Sequence, residues 1–203
     1  MDLELSACLL FNDNNNYIIS SNCNYDGGEN IKVFDFMTNK VNEINDSGYS
    51  TYFIDIYFDK KLSKNYIVTG NRDSVISYDF DKNLKYKEYT NNDRNNHVSI
   101  IIYDKEYIVQ LIESSEDGNI RIWNFHIGEL LKTISTNKQD GIYSLYGICL
   151  WNEKYLFVGC ENNKIKLIDL EEETIIKDLI GHNNIALCIN ILYFMFDKQK
   201  ILG

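Results

Sequence analysis

The sequence predicts an all-β protein built from one structural unit that is repeated about four times. Three observations predict this fold class: a seven-residue pattern recurring at nearly constant spacing, further strand-like segments at the same places around each copy, and a strand-favouring composition. The 203 residues include 15 Tyr and 10 Phe, and aromatic side chains suit a pleated, half-buried surface. A chain of this length is expected to form one domain, which we place over residues 1–203.

The seven-residue pattern reads polar, aliphatic, variable, aliphatic or small, large apolar, Asp or Asn, apolar. Its four copies are NIKVFDF, SVISYDF, NIRIWNF and KIKLIDL. They begin at residues 30, 74, 119 and 164, so successive copies lie 44, 45 and 45 residues apart. Recurrence at such a period is typical of repeat architectures. The predicted repeats are approximately 1–45, 46–90, 91–135 and 136–180, with a partial repeat over 181–203.

Each copy of the pattern is the third of four predicted strands. Two apolar segments precede it, a turn rich in Asn, Asp and Gly leads into it, and a weaker segment follows it. Four strands in about 45 residues are typical of one blade of a β-propeller. Several segments are apolar at nearly every position, as expected where both faces of a sheet are buried between neighbours. The predicted first strands are 6–11, 51–58, 98–104 and 145–151; the second are 17–22, 66–71, 107–115 and 155–160; the fourth are 40–44, 85–90, 129–134 and 174–180.

The segment SEDGNIRIWN at 115–124 resembles the strand-turn-strand signature of the WD40 repeat family. Gly181-His182 likewise matches the Gly-His pair that opens a repeat in that family. The resemblance covers essentially the whole chain and implies a WD40-like β-propeller.

In the WD40 family, a His, a Ser or Thr, the Asp of the tight turn and the Trp form a hydrogen-bonded set that locks each blade. The resemblance implies that Asp117 and Trp123 belong to such a set, with Ser114 or Ser115 as the third member and His97 as the fourth. The other repeats depart from the signature. Phe34, Tyr78 and Ile168 replace the Trp, and Gly28, Arg72 and Asn162 stand in place of the turn Asp. Packing is therefore expected to hold the repeats other than the third.

The chain is also shorter than five full repeats. A fifth copy of the pattern is expected at about residue 209, so the predicted fold is about four four-stranded blades plus an incomplete fifth. Two interpretations stay open: a fragment of a larger ring, or an open arc whose unpaired edge strands would pair with another chain. The number of blades in a complete ring and the oligomeric state are not predicted.

No motif nominates a catalytic, metal or cofactor site. His97, His126 and His182 are the only histidines, and none has Cys or carboxylates at metal-ligand spacing. Glu116 and Asp117 form an adjacent carboxylate pair, but neighbouring residues of a turn point apart, and the resemblance gives Asp117 a structural role. The sequence therefore predicts no enzyme, no metal and no cofactor.

Charge and cysteine content limit the class of partner and the compartment. The formal net charge is −10, and no basic stripe is visible, which disfavours nucleic acid and anionic membranes and favours proteins with basic segments. The five cysteines are odd in number and lie mostly in apolar runs, which predicts reduced thiols and a cytoplasmic location, with the nucleus as an alternative. The longest apolar run, 185–196, is too short to cross a bilayer.

Loops at one end of the blades are the expected binding face, because loops on a rigid scaffold usually carry binding. Tyrosine is a frequent interface anchor, since it combines a large area with a polar tip. The expected function is a non-catalytic scaffold for protein–protein interaction within a larger complex. The alternatives are a truncated fragment without independent function and a small-molecule-binding or enzymatic propeller. The candidate partner-binding residues are Tyr49, Tyr52, Arg72, Asp73, Glu116, Tyr143, Tyr146 and Glu161.

Overall fold

The computed structural model describes residues 5–13, 15–23, 31–44, 51–90, 97–105, 107–136, 145–186 and 189. All regular secondary structure in these residues is β. None of the described residues forms a helix that could traverse a lipid bilayer. The strands are β1 (Leu5–Asp13), β2 (Asn15–Cys23), β3 (Ile31–Asp35), β4 (Lys40–Ile44), β5 (Thr51–Asp59), β6 (Lys64–Asn71), β7 (Val75–Asp79), β8 (Leu84–Tyr89), β9 (His97–Lys105), β10 (Ile108–Ser115), β11 (Asn119–Asn124), β12 (Leu130–Ser135), β13 (Leu145–Trp151), β14 (Tyr155–Cys160), β15 (Ile165–Asp169) and β16 (Thr174–Leu179).

The described strands form four sheets of four consecutive strands each. The first sheet is β1–β4, the second β5–β8, the third β9–β12 and the fourth β13–β16. Every pairing is antiparallel between strands adjacent in the chain, so each sheet is a meander. The predicted all-β class and the predicted four units of four strands are confirmed.

A turn of the same conformation links the third and fourth strands of every sheet. Each contains one residue with positive φ, between 53° and 81°, and these residues are 44, 45 and 45 positions apart in the chain. Positive φ is uncommon outside glycine, and Asn is among the residues that tolerate it best. The same strained position therefore recurs at the period of the sequence pattern. The four residues are Asn39, Asn83, Gly128 and Glu173.

The Asp or Asn of the sequence pattern closes this turn. Its side-chain oxygen accepts hydrogen bonds from backbone N–H groups two or three residues further on, which satisfies donors that the strand ladder leaves open. In the fourth sheet, Asp169 accepts from Glu171 at 2.9 Å and from Glu172 at 3.0 Å. The equivalent residues in the other sheets are Asp35, Asp79 and Asn124.

Three hydrophobic cores lie between successive sheets. One joins the first and second sheets, one the second and third, and one the third and fourth. The third strands contribute to the cores on both sides of their sheet, because alternate side chains of a strand point to opposite faces. In β11, Ile120 and Ile122 enter the core shared with the fourth sheet, whereas Trp123 enters the core shared with the second. The second and third sheets are therefore covered on both faces by neighbouring sheets.

The large apolar position of the pattern is structurally equivalent in the four sheets. It lies opposite the second strand on one side and the fourth strand on the other, one residue before the Asp or Asn that closes the turn. In the second, third and fourth sheets this side chain is buried against the preceding sheet. In the first sheet it is half-buried. The four residues are Phe34, Tyr78, Trp123 and Ile168.

The outer face of the fourth sheet is partly covered by the residues that follow β16. A β-carbon placed on Gly159 would lie 2.1 Å from the backbone oxygen of Ala186, so only glycine allows this approach. Asn163 also donates a hydrogen bond to the backbone oxygen of Asn183 at 3.3 Å. His182, the predicted start of a new repeat, is exposed here, and the apolar run at 187–196 lies outside the described residues except for Ile189.

Candidate functional site

The turns between second and third strands lie at one end of the sheets, which we call the turn face. The first and third strands begin at this end, and the second and fourth strands finish there, because all pairings are antiparallel. The described turns of this face are 72–74, 116–118 and 161–164. The predicted binding residues that the structure describes lie in these turns or at the strand starts beside them.

In the second sheet, the turn face is held by side chains at the strand ends. Thr51 donates to Asn71 Oδ1 at 3.1 Å, and the Asn71 backbone N–H donates to the carbonyl of Ser74 at 2.9 Å. Beside them, Asp73 Oδ1 and Ser74 Oγ are buried and have no hydrogen-bond partner in the described part of the chain. A buried polar atom without a partner costs about 1–3 kcal/mol. This turn is therefore incompletely satisfied within the described part of the chain.

In the third sheet, Asp117 organises the turn. It accepts a hydrogen bond from the backbone of Asn119 at 2.9 Å and one from its side chain at 3.0 Å, and it forms an ion pair with Arg121. Burial favours the protonated carboxyl, but the hydrogen bonds from Arg121 and Asn119 outweigh it and lower the pKa of Asp117 below 3.8. Asp117 is therefore a charged structural residue of the turn.

A buried ion pair lies directly below this turn. Glu113 and Arg121 are opposite each other on β10 and β11, with Arg121 Nη1 3.6 Å from Glu113 Oε1. The side chains are 0% and 1% exposed, respectively. Such a pair keeps its stabilising effect only while both charges are present, since an isolated buried charge is strongly unfavourable. The sequence does not predict this pair, because burial of a charge depends on the neighbouring sheet.

The described residues do not show the hydrogen bonds of the set that the WD40 resemblance implies. Asp117 and Trp123 belong to the same sheet, but Asp117 pairs with Arg121 and Asn119, and the Trp123 indole N–H has no hydrogen-bond partner among the residues described. His97 lies opposite Ser115 in the strand register, but its side chain lies outside the described residues.

The first strands begin irregularly at the turn face. The pairing with the second strand shifts register between Thr51 and Phe53 in the second sheet and between Leu145 and Ile148 in the fourth. Bulges of this kind redirect side chains and are frequent beside functional sites. Tyr52 and Tyr146, two of the predicted tyrosines, occupy these shifted positions. Tyr52 is half-buried.

Six of the eight predicted binding residues belong to described segments at the turn face. Arg72 and Glu161 are exposed, and Tyr52, Asp73 and Glu116 are half-buried. Tyr146 is placed by its backbone in β13, whereas Tyr49 and Tyr143 lie outside the described residues. Three of these six are acidic and one is basic, so these predicted residues carry a net negative charge on the turn face.

A second cluster, not predicted from the sequence, lies at the opposite end of the second and third sheets. His126 Nε2 is 2.9 Å from Asp59 Oδ2, and His126 Nδ1 is 3.2 Å from the hydroxyl oxygen of Tyr86. Between the same two sheets, the Tyr57 hydroxyl donates a hydrogen bond to Asp104 Oδ1 at 2.7 Å. Burial, followed by this hydrogen bond, raises the pKa of the Tyr57 phenol. These contacts join the ends of the two sheets.

No protein-family model matches this chain, and a comparison with curated proteins finds no match either.

Proposed function

We propose that the protein is a non-catalytic repeat scaffold of the WD40 type, in which the four sheets are blades of a β-propeller. The single observation that supports it is the recurrence of one four-stranded unit with the same left-handed turn residue every 44 or 45 positions. Cores between successive sheets make such an array stiff. A stiff array presents its turns in a fixed arrangement, which lowers the entropy lost on binding.

The turn face is the proposed binding surface, and a Lys- or Arg-rich segment of a partner protein is the proposed ligand. Two observations support this choice. Asp73, Glu116 and Glu161 lie on this face, and the chain carries a net charge of −10. Complementary charge at an interface raises the association rate and selects the partner.

Charge reversal at the turn face tests this function. We expect the wild type to bind members of a panel of Lys- and Arg-rich peptides in a fluorescence anisotropy assay. The double variant Glu116→Lys, Glu161→Lys is expected to bind the same peptides about tenfold more weakly or worse, since two attractive charges become repulsive.

The matched control is Glu153→Lys with Glu172→Lys, which makes the same charge change at exposed turns at the other end of the fourth sheet. This control is expected to bind within about twofold of wild type. Equal weakening by both double variants would show that only net charge matters and would reject the turn face as the site. If the wild type turned over any substrate and both double variants kept that activity, the non-catalytic role would be contradicted.

A further inference from the structure

We propose that copies of this chain stack head to tail, so that the fourth sheet of one copy packs face to face against the first sheet of the next. The contact would repeat the interface that joins successive sheets within the chain. The face of the first sheet that would be covered, the leading face, carries Ile18, Lys32, Phe34, Phe36, Val41 and Glu43. The outer face of the fourth sheet, the trailing face, carries Trp151, Tyr155, Phe157, Ile165, Leu167 and Lys177.

The seventh position of the sequence pattern shows that the leading face has the composition of a covered face. In the third and fourth sheets this residue is Phe125 or Leu170, which are 0% and 4% exposed and belong to the core shared with the preceding sheet. In the second sheet Phe80 packs against the core shared with the first. In the first sheet it is Phe36, which is 45% exposed and contacts Phe34 edge to face. The first sheet therefore presents the same apolar position without a covering sheet among those described.

The charged residues of the leading face also match a covered face. Lys32 lies opposite Glu43 in the strand register, as Lys166 lies opposite Asp178 in the fourth sheet. Lys166 is on the face that packs against the third sheet, where its side chain is 1% exposed and its Nζ is 3.1 Å from Asp178 Oδ1. A lysine at this position is therefore buried elsewhere in the chain with a carboxylate from its own sheet. Covering Lys32 need not leave a charge unpaired.

An aromatic contact between successive sheets recurs at one pair of positions. The residue of the second strand that lies opposite the turn-closing Asp is Tyr17 in the first sheet and Tyr66 in the second. Tyr17 contacts Phe80 of the next sheet with ring centroids 5.2 Å apart, and Tyr66 contacts Phe125 of the next sheet at 5.3 Å, both edge to face. Tyr155 occupies this position in the fourth sheet. Its counterpart in a stacked copy would be the seventh-position phenylalanine of the first sheet.

A lysine of the fourth strand also reaches from one sheet to the next. Lys132 of the third sheet donates a hydrogen bond at 3.0 Å to the backbone oxygen of Leu170, the seventh-position residue of the fourth sheet. Lys87 is equivalent in the second sheet, and its Cδ would lie 3.7 Å from a β-carbon on Gly128 of the third. Lys177 occupies this position in the fourth sheet and is exposed. Stacking would place it beside the corresponding backbone oxygen of the next copy.

The trailing face is less buried than the equivalent faces of the other sheets. Ile165 and Leu167, at the second and fourth positions of the pattern, are half-buried. The described residues that follow β16 reach this face at Gly159 and Asn163, which lie at its turn-face end, whereas Tyr155 lies at the opposite end of β14. The residues at the same two positions of the first three sheets are buried: Ile31, Val33, Val75, Ser77, Ile120 and Ile122.

A second copy of this chain is the occupant that these observations select, because each copy carries both halves of the recurring contact. The two faces differ, so the association is heterologous, and such contacts either close into a ring or continue. Two copies of four sheets would supply eight, which is within the range of closed propellers. Neither the turn face nor its proposed ligand enters this inference.

Sedimentation equilibrium of the full chain tests the stacking. The average mass is expected to rise with concentration, up to about 100 μM, to at least twice the mass of one chain. A mass that stayed at one chain throughout this range would overturn the proposal.

Two double variants each disable one face. Phe36→Glu with Val41→Glu changes exposed residues of the leading face, and Tyr155→Ser with Lys177→Glu changes the trailing face. Each variant alone is expected to raise the dissociation constant about tenfold or more, because an apolar or hydrogen-bonded contact is lost and charge is introduced. The single variant Lys177→Glu, at an exposed position, is expected to raise it at least about threefold.

Mixing the two double variants tests the head-to-tail arrangement. An equimolar mixture is expected to associate through the one intact face of each variant and to stop at one copy of each. Unchanged association of the trailing-face variant would mean that two leading faces pair with each other and would overturn the arrangement. A mixture no more associated than either variant alone, with native circular dichroism spectra, would overturn it as well.

A matched control adds the same two negative charges elsewhere. Leu62→Glu with Leu84→Glu changes side chains that are 52% and 62% exposed on the second sheet, and its dissociation constant is expected to stay within about twofold of wild type. Equal weakening by this control would overturn the proposal. The turn-face variant Glu116→Lys, Glu161→Lys is expected to associate as wild type does, so that failure of the turn-face function and failure of the stacking are separate results.

Discussion

Replacing Trp123 with alanine is expected to destabilise the protein by about 3–5 kcal/mol, the usual cost of truncating a large core aromatic side chain. Trp123 is 3% exposed and lies between the second and third sheets. Its ring contacts Tyr89 edge to face, with centroids 6.0 Å apart. Because the free energy of unfolding of a typical domain is about 5–15 kcal/mol, this loss is a large fraction of the total stability. The measurement is chemical denaturation followed by circular dichroism.

The only other tryptophan supplies the control. Trp151 is half-buried on the outer face of the fourth sheet, 5.5 Å from Tyr155 between ring centroids. Trp151→Ala is expected to cost less than about half as much, since the free energy scales with the apolar area removed from water. Equal costs for the two variants, or an unchanged midpoint for Trp123→Ala, would contradict the position of Trp123 in a core between sheets.

Replacing Arg121 with isoleucine is expected to cost about 3–5 kcal/mol, because it removes the cation from the buried pair with Glu113 and from the ion pair with Asp117. Isoleucine is the residue that the second sheet has at the equivalent position, Ile76, which lies opposite Thr69. The double variant Glu113→Thr, Arg121→Ile installs that neutral pair. It is expected to recover at least about half of the lost stability, since replacing a whole buried pair is often neutral. Equilibrium denaturation of both variants measures this.

An equivalent exposed position gives the matched control. Lys32 occupies in the first sheet the place of Arg121 in the third, but it is exposed. Lys32→Ile is expected to change stability by no more than about 0.5 kcal/mol, as exposed substitutions usually do. If the double variant were as unstable as the single Arg121 variant, the loss would come from something other than the broken Glu113–Arg121 pair.

The sequence predicted the repeat well because the repeat is a local property. Each third strand carries its own alternation of side chains and its own turn residues, so the period could be read without knowing any contact. The Asp or Asn at the sixth position of each copy was part of the pattern, and its role in closing the turn follows from the general chemistry of these side chains. The sequence pattern therefore contains the turn-closing residue, but its hydrogen bonds are seen only in the structure.

The burial of individual side chains and the contacts between repeats depend on what packs against each sheet. Lys32, Ile76, Arg121 and Lys166 are equivalent, yet the first is exposed and the other three are buried. Only the neighbouring sheet decides this difference. The contacts of His126 with Asp59 and Tyr86 likewise join segments of different repeats, so no spacing in the sequence indicated them. The exposure of Leu62 and Ile127 is likewise a tertiary property that no spacing in the sequence indicates.

Amide hydrogen exchange across the chain tests the repeat of four equivalent sheets most directly. The slowest amides are expected in the buried second and third strands of the second, third and fourth sheets, recurring at a period of 44 or 45 residues. The outer strands β8, β12 and β16 and the turns between strands are expected to exchange faster. Slow exchange that skipped one of the copies, or that ran unbroken through the turns at 80–83 and 170–173, would contradict the account.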